Sequence, residues 1–407
     1  MIEVLRDPTY RTLFSAQVIA LAGTGLLTVA LGLLAFDIAG ADAGLVLGTA
    51  LTIKMVAYVG VAPIAAALVD RLPRKVVLVT ADLVRLAAAL TLPFIGEAWQ
   101  IYVLVFVLQS ASATFTPAFQ ALIPTVLPDP GQYTRALALS RLAYDLESLL
   151  SPVVAAALLG VMSYSTLFVG TAVGFAASAA LVLIARLPEA EDKRSTTFWQ
   201  RLPAGLQVFV RTPTLRLLMV VNVVVASGTA LVLVNSVVYV KSVFRLDDAA
   251  LAIALAAYGA GSLAVVFGIP RMVDRLGVTR TMLTGVVTVV AGLIGSVVMT
   301  GLLAPAAGWS ALLLAWVVLG AGTSLINTPS SRLLAEASTP ANRNLVYTAQ
   351  FALSHACFLV TYPVAGVTGA VDLTGAVVVL AGLAVAAAAA SFVLHRRTVD
   401  DGSRMES

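Results

Sequence analysis

Two carboxylates in one apolar segment, residues 134–160, are the side chains of this sequence best suited to chemistry. Asp145 and Glu147 lie there together with Arg141. On a helical projection the polar residues share one face. The opposite face is aliphatic and consists of Leu142, Leu146, Leu149, Leu150 and Val153. A helix divided in this way is typical of the wall of a water-accessible cavity, so we expect Asp145 and Glu147 to bind protons or cations.

The neighbours of the two carboxylates predict different roles for them. Arg141 stands four residues before Asp145 and can pair with it, which leaves open a purely structural role for that pair. Glu147 has no basic residue three or four positions away, so a local pair cannot explain it. Lys54, deep in the second apolar segment, is its expected partner, and the alternative is that Lys54 snorkels outward. Tyr144 shares the polar face and joins these four residues as a candidate for proton coupling.

The composition indicates the environment of these residues. Of the 407 residues, 60% are apolar and 11% are charged, against about 25% charged in a soluble domain. The chain is therefore expected to be a membrane protein, and its net charge of +4 does not indicate nucleic-acid binding. A single cysteine excludes an intramolecular disulfide. No hydrolase or metalloprotease signature is present, so we predict neither an enzyme nor a cofactor.

Twelve apolar segments are long enough to cross a bilayer, which takes about 20 residues each. They are residues 12–36, 43–68, 76–97, 100–125, 134–160, 164–186, 214–240, 249–273, 279–303, 309–335, 344–368 and 372–395. Most lysines and arginines flank one set of ends, and the alternate loops carry only Lys241 and Arg245. By the positive-inside rule, both termini are expected in the cytoplasm. These features predict an all-α membrane protein with twelve transmembrane helices.

The two halves of the chain carry similar short motifs. Asp70-Arg71 after the second segment recurs as Asp274-Arg275 after the eighth, at an offset of 204 residues. Ser151-Pro152 recurs as Tyr362-Pro363 at an offset of 211. This repetition predicts two pseudo-symmetric six-helix halves, as secondary transporters have. The expected domains are an N-terminal half at 1–186, a cytoplasmic linker with an amphipathic helix at 187–213, a C-terminal half at 214–395 and a cytoplasmic tail at 396–407.

The whole chain resembles the major facilitator superfamily. That family has a loop motif after its second helix, with a small residue, Asp-Arg, a turn residue and two basic residues. Here the motif is filled by Ala66, Asp70, Arg71, Pro73, Arg74 and Lys75, with Ala66 and Pro73 in place of the usual glycines. The resemblance implies two halves that rock about a central cavity. It also implies an inner gating latch formed by Asp70, Arg71, Arg74, Lys75, Asp274 and Arg275.

Segment eleven is the pseudo-repeat of segment five and supplies further candidates. At the repeat offset, Asp145 and Glu147 correspond to the region of His355 and Cys357. Carboxylate, imidazole and thiolate suit nickel, cobalt or zinc, so these four residues are candidate metal ligands. Residues two apart point about 200° apart on a helix, so at most one of His355 and Cys357 reaches a cavity without a kink. The alternative is a structural histidine and a packing cysteine. The expected polar lining is completed by Gln350, Ser354 and Asn222.

The runs 133–152 and 353–357, with Tyr362-Pro363, are similar to the bacterial nickel-resistance branch of the superfamily. This resemblance implies a proton antiporter that exports nickel or cobalt across the bacterial inner membrane. The alternative substrate is an amphipathic organic compound such as a drug or siderophore, and a sensor that transports nothing is a third possibility. We expect a monomer whose partners are its metal-ion or small-molecule substrate, protons and the lipid bilayer.

Overall fold

The computed structural model describes residues 2–61, 72–185, 187, 198–302, 305–339 and 342–405. Every regular element in these ranges is helical, and they contain no strand. The latch candidates Asp70 and Arg71 lie outside the described residues, as does most of the predicted linker, 188–197. The side chains of Arg141 and Asp145 also lie outside the described part of the chain.

The described residues up to 187 form six α-helices. These are α1 (Pro8–Ala39), α2 (Ala43–Val56), α3 (Arg74–Thr91), α4 (Ala98–Val126), α5 (Pro130–Leu159) and α6 (Tyr164–Ile184). A short turn at Gly40–Asp42 separates α1 from α2, and Gly40 has φ +54°, a conformation that favours glycine. α2 continues directly into a π-helix, Ala57–Val61.

The described residues from 198 onward form eight further α-helices. These are α7 (Phe198–Arg211), α8 (Pro213–Val238), α9 (Asp248–Val266), α10 (Ile269–Leu276), α11 (Val278–Leu302), α12 (Pro305–Glu336), α13 (Arg343–Val371) and α14 (Leu373–Met405). A second π-helix, Tyr239–Val243, follows α8.

Ten described stretches are long and apolar enough to cross a membrane. The first, Pro8–Val61, has 54 residues and contains the turn between α1 and α2, so it accounts for two crossings. Helix α5 has 30 residues and provides the length for another. The fold therefore confirms the predicted all-α membrane protein with twelve transmembrane helices.

Contacts divide the chain into two compact units. The first contains residues 1–39 and 53–197, and the second contains 40–52 and 198–407. The boundary near residue 197 falls inside the predicted linker. The first thirteen residues after α1 belong to the second unit, so the division differs from a simple cut of the sequence into halves.

In the first unit, α1 and α6 pack closely because small residues meet between them. Gly23 lies against the backbone of Thr171, and Thr171 Oγ1 donates a hydrogen bond of 2.8 Å to the Gly23 carbonyl. A cluster of buried aromatic and aliphatic residues, including Tyr10, Phe115 and Phe119, joins α1 to α3, α4 and α5. This core fixes the helices that carry the candidate site.

In the second unit, glycines again mark the closest helix contacts. A Cβ on Gly261 of α9 would lie 1.9 Å from the Val317 carbonyl oxygen of α12, and one on Gly320 would lie 1.8 Å from that of Tyr258. Trp316 is fully buried, and its Nε1 donates to Ser236 Oγ at 2.7 Å. The letters Gly259-Ala260-Gly261, which spell part of a nucleotide-binding fingerprint, therefore serve helix packing.

Two predicted segments differ in detail from the observed helices. The expected span 249–273 is interrupted at Gly268, and α10 begins at Ile269, so Asp274 and Arg275 lie on a helix rather than in a loop. The expected tail from residue 396 continues as part of α14 to Met405. The linker contains the helix α7, whose Gly205 is tightly packed on Leu345 and Ala349 of α13 and whose Phe209 is buried.

Candidate transport site

Glu147 lies on the part of α5 that packs against α1. Gly25 of α1 has no side chain, so two side chains of α5 can approach its backbone. A Cβ atom built on Gly25 would lie 1.8 Å from Ser151 Oγ and 2.8 Å from Glu147 Oε1. Ser151 is buried, whereas Glu147 keeps partial exposure. The contact therefore positions the carboxylate without burying it completely.

The predicted polar face of α5 is only partly accessible. Ser140 is buried and donates a hydrogen bond of 3.0 Å to Gln17 Oε1 of α1, which is buried too. Tyr144 and Glu147 remain partly exposed. The face is narrower than expected because α1 covers one edge of it, and helical projection alone cannot show which neighbour covers which edge.

Two side chains of the first unit, those of Lys54 and Tyr58, interact electrostatically with Glu147. Lys54 is in the last turn of α2, and Tyr58 lies one turn later in the π-helix Ala57–Val61. Both side chains are partly exposed, and each interacts electrostatically with Glu147. A π-helix is rare and often marks a functional site. Lys54, the predicted partner, therefore lies within electrostatic range of Glu147, and Tyr58 joins the group.

Tyr144 extends the group toward α4. Its hydroxyl lies 3.5 Å from Thr116 Oγ1 and is the donor of this pair when Thr116 donates to the backbone. Thr116 itself donates to the carbonyl of Ser112. Tyr144 stands one turn before Glu147 on α5, and the α4 contact restricts its position.

Helix α3 carries a buried ion pair. Asp82 and Arg85 of α3 form a salt bridge, and both residues are at least 95% buried. Ser178 Oγ of α6 donates to Asp82 Oδ2 at 2.7 Å. The Arg85 guanidinium lies between two rings, 4.3 Å from the Phe115 centroid and 4.6 Å from the Phe175 centroid. These contacts give the pair a structural role that joins α3, α4 and α6.

In the second unit, the expected lining residues Asn222 and Gln350 contact each other. Asn222 Nδ2 donates to Gln350 Oε1, and Gln350 Nε2 donates back to Asn222 Oδ1, both at 3.2 Å. The two amides therefore satisfy each other across α8 and α13; Asn222 is buried, and Gln350 is partly exposed. Ser354, the third expected lining residue, donates to the carbonyl of Phe351.

The two candidate metal ligands of α13 do not form a metal centre in this unit. His355 Nδ1 lies 2.7 Å from the Phe351 carbonyl oxygen, and its ring stacks on that of Phe351 with centroids 4.0 Å apart. Cys357 is a free, partly exposed thiol. Among the residues whose side chains are described, no three His, Cys, Asp or Glu groups are placed to hold a metal ion. His355 therefore has packing and hydrogen-bond partners that do not require a metal.

Two of the described latch candidates, Lys75 and Asp274, make contacts within their own units. Lys75 Nζ donates to the Ala185 carbonyl at 3.0 Å and so binds the C-terminal end of α6. Arg74 is the first residue of α3. Asp274 lies 4.0 Å from the guanidinium of Arg332, which also pairs with Glu336. Arg275 is in the last turn of α10.

Two residues of the site carried no predicted role. Gly25 acts through the absence of a side chain, and a sequence read one segment at a time does not show which helix packs there. Tyr58 stands four residues after Lys54, so helical periodicity places it on the same face. That spacing is the signal that could have identified Tyr58.

Comparison with protein families gives one match over most of the chain. The model of the Major Facilitator Superfamily matches residues 13–301 and again residues 220–405. The two overlapping matches are consistent with the repeated halves seen in the sequence.

Macrolide efflux protein A of Streptococcus pyogenes is 24% identical over 221 residues, which cover 52% of this chain and 54% of that protein. Macrolide efflux protein A of Enterococcus faecalis is 26% identical over 189 residues, covering 43% of this chain and 58% of that protein. The chain thus spans about half the length of these relatives. These relatives are named for macrolide efflux and not for nickel, so the resemblance to the nickel-resistance branch is not supported below the level of the superfamily.

Solved structures share the fold at low sequence identity. A mutant of the nucleoside transporter NupG has a TM-score of 0.76 and 14% identity, covering 95% of this chain and 99% of that one. A bacterial homologue of the iron transporter ferroportin has a TM-score of 0.73 and 14% identity, covering 95% and 98%. These likenesses establish the transporter fold and carry no information on substrate.

Proposed function

Because this chain belongs to the Major Facilitator Superfamily, we propose that it is a proton-coupled exporter of amphipathic organic compounds in a bacterial cytoplasmic membrane. The observation that carries this proposal is the position of Glu147, a partly exposed residue whose carboxylate lies against Gly25 and within electrostatic range of Lys54. An ionisable group at bilayer depth costs at least about 2.5 kcal/mol on insertion scales. An ionisable side chain at this depth is therefore a candidate functional residue.

Glu147 is the exchange site in this mechanism. A proton that reaches the carboxylate from outside neutralises it and weakens its attraction for a bound cation, which then leaves. When the proton departs to the cytoplasm, the carboxylate recovers its charge and can bind a new substrate. Lys54 is the neighbouring positive charge that favours departure of the proton. Alternating access of the two halves then gives the exchange a direction.

We favour an organic substrate over nickel or cobalt for two reasons. Two relatives are named for macrolide efflux. In addition, His355 packs on the ring of Phe351 and its Nδ1 lies 2.7 Å from the Phe351 carbonyl oxygen, so it has partners that do not require a metal. The organic compound, the alternative raised by the sequence, therefore becomes the leading substrate.

The test uses purified protein in proteoliposomes with an imposed pH gradient and radiolabelled erythromycin. Wild-type protein is expected to show gradient-driven flux, and Glu147→Gln is expected to lose it because the amide cannot exchange a proton. Glu336→Gln, an exposed acid at the end of α12, is the matched control and should transport normally. Normal pH-driven flux in Glu147→Gln would overturn the assigned role. Radiolabelled nickel flux without erythromycin flux would overturn the substrate class.

A further inference from the structure

Helix α13 carries a stripe of five aromatic rings that the proton-exchange mechanism does not use. The rings belong to Tyr347, Phe351, His355, Phe358 and Tyr362. At 100° per residue they fall within an arc of about 80° and extend over about 22 Å of helix. We call them the aromatic stripe.

The rings of the stripe contact one another along the helix. Phe351 and His355 have centroids 4.0 Å apart, and Phe358 and Tyr362 have centroids 5.0 Å apart. Tyr347 is 41% exposed and Phe351 is 36% exposed, while His355 and Phe358 are partly exposed. Only Tyr362, at the far end, is buried. The stripe therefore presents an accessible aromatic surface over most of its length.

The stripe is distinct from the other surfaces of α13. The opposite side carries the small or aliphatic residues Ala356, Val360, Val367 and Val371, all exposed, which is the surface expected to face lipid. A third side carries Gln350, which pairs with Asn222 of α8. All the aromatic rings of α13 belong to the stripe, so they are confined to one side of the helix.

The duplicated halves indicate what this side of the helix does. At the 211-residue offset, Phe351, His355, Phe358 and Tyr362 correspond to Ser140, Tyr144, Glu147 and Ser151 of α5. Those four residues form the polar face that contains the exchange carboxylate. Equivalent positions thus carry a carboxylate and hydroxyl groups in one half and aromatic rings in the other.

We propose that the aromatic stripe is the recognition surface for the substrate and that it selects organic cations with a large apolar surface. This inference rests on the proposed function. Ring faces are electron-rich, so they attract an organic cation through cation–π interactions, and they pack against its apolar groups. A strongly hydrated metal ion gains nothing comparable from such a surface. The occupant is therefore an amphipathic organic cation.

The experiment measures equilibrium binding of radiolabelled tetraphenylphosphonium to the purified full-length protein in detergent, with no pH gradient. This probe carries a permanent charge and four phenyl groups, so its own charge does not change with pH, and the measurement is made at one fixed pH. Phe351→Leu and Phe358→Leu keep apolar side chains but remove the ring faces. Each is expected to weaken binding about 3- to 30-fold, from the range measured for cation–π contacts. Phe351→Trp keeps an aromatic ring at this position, and this variant is expected to bind the probe as wild type does.

Phe392→Leu is the matched control, because this α14 phenylalanine is 39% exposed but lies outside the stripe. It is expected to leave binding unchanged. Unchanged binding in both Phe351→Leu and Phe358→Leu, or no binding of tetraphenylphosphonium by wild-type protein, would overturn the inference. Loss of gradient-driven erythromycin flux would not affect these binding results, so failure of the proposed function is distinguishable from failure of the stripe.

Discussion

Gly25→Ala should impair transport without unfolding the protein. A Cβ at this position would lie 2.1 Å from Ser151 Cβ and 2.8 Å from Glu147 Oε1. Carbon atoms pack at about 3.5–4.0 Å, so α1 and α5 must separate locally by about 1.5 Å. The Glu147 side chain can rotate away, but Ser151 Cβ is fixed to the backbone of α5. The added methyl therefore acts mainly on the distance between the two helices.

The energies favour a folded but impaired protein. Overpacking costs about 1–3 kcal/mol, and replacing glycine by alanine within a helix returns up to about 1 kcal/mol. The net change is small against typical stabilities of about 5–15 kcal/mol. If the overpacking cost falls on the state in which Glu147 rests on Gly25, the population of that state drops about 5- to 150-fold. We expect gradient-driven efflux to fall within that range.

The assay is initial-rate efflux from proteoliposomes, with thermal stability of the purified protein measured in parallel. Gly295→Ala is the matched control because a Cβ on this α11 glycine would have nothing within 4 Å. The double variant Gly25→Ala/Ser151→Gly removes the side chain that the new methyl group would contact, so it should recover much of the flux. The single variant Ser151→Gly measures how much flux the added glycine costs by itself. Normal efflux by Gly25→Ala, or no recovery in the double variant, would refute the reasoning.

Two further substitutions separate coupling from structure. Lys54→Met should alter the pH dependence of erythromycin efflux because it removes the positive charge that interacts with Glu147, and an unchanged pH profile would place Lys54 outside the coupling group. Arg85→Ala should lower stability by about 3–5 kcal/mol, because it leaves the buried Asp82 carboxylate without its partner. Thermal unfolding in detergent measures this loss of stability. The double variant Arg85→Ala/Asp82→Ala should be less destabilised than Arg85→Ala, because it also removes the unpaired carboxylate. Equal stability of Arg85→Ala and wild type would contradict the structural role.

Hydropathy was sufficient to predict the helices because each one must satisfy its own backbone hydrogen bonds in lipid. The predicted segment 134–160 appears as Pro130–Leu159, and 344–368 appears as Arg343–Val371. The break at Gly268 was missed because the apolar pattern continues through it. Periodicity records how residues alternate along a segment, but it does not record a local change in chain direction.

The site was predictable only as a list of side chains. Lys54 and Glu147 stood out because charges are costly in an apolar segment, and the first unit places them within electrostatic range of each other. Gly25 could not be found in that way, since its contribution is a close approach between α1 and α5. The partners of Ser140 were equally hidden, because Gln17 lies 123 residues away in sequence. Contacts between distant segments depend on packing, which composition and spacing do not specify.

The requirements of exchange give a physical reason why α5 carries a carboxylate where α13 carries aromatic rings. Exchange requires one group whose charge changes with proton binding and another surface whose attraction does not. Under the proposed function Glu147 supplies the first, whereas the rings of Phe351 and Phe358 do not titrate. Protonation of Glu147 then removes only part of the binding free energy of an organic cation, so that affinity falls without abolishing recognition. A ligand shifts a conformational equilibrium only by its differential affinity for the two states, and under this proposal the titrating carboxylate supplies that difference.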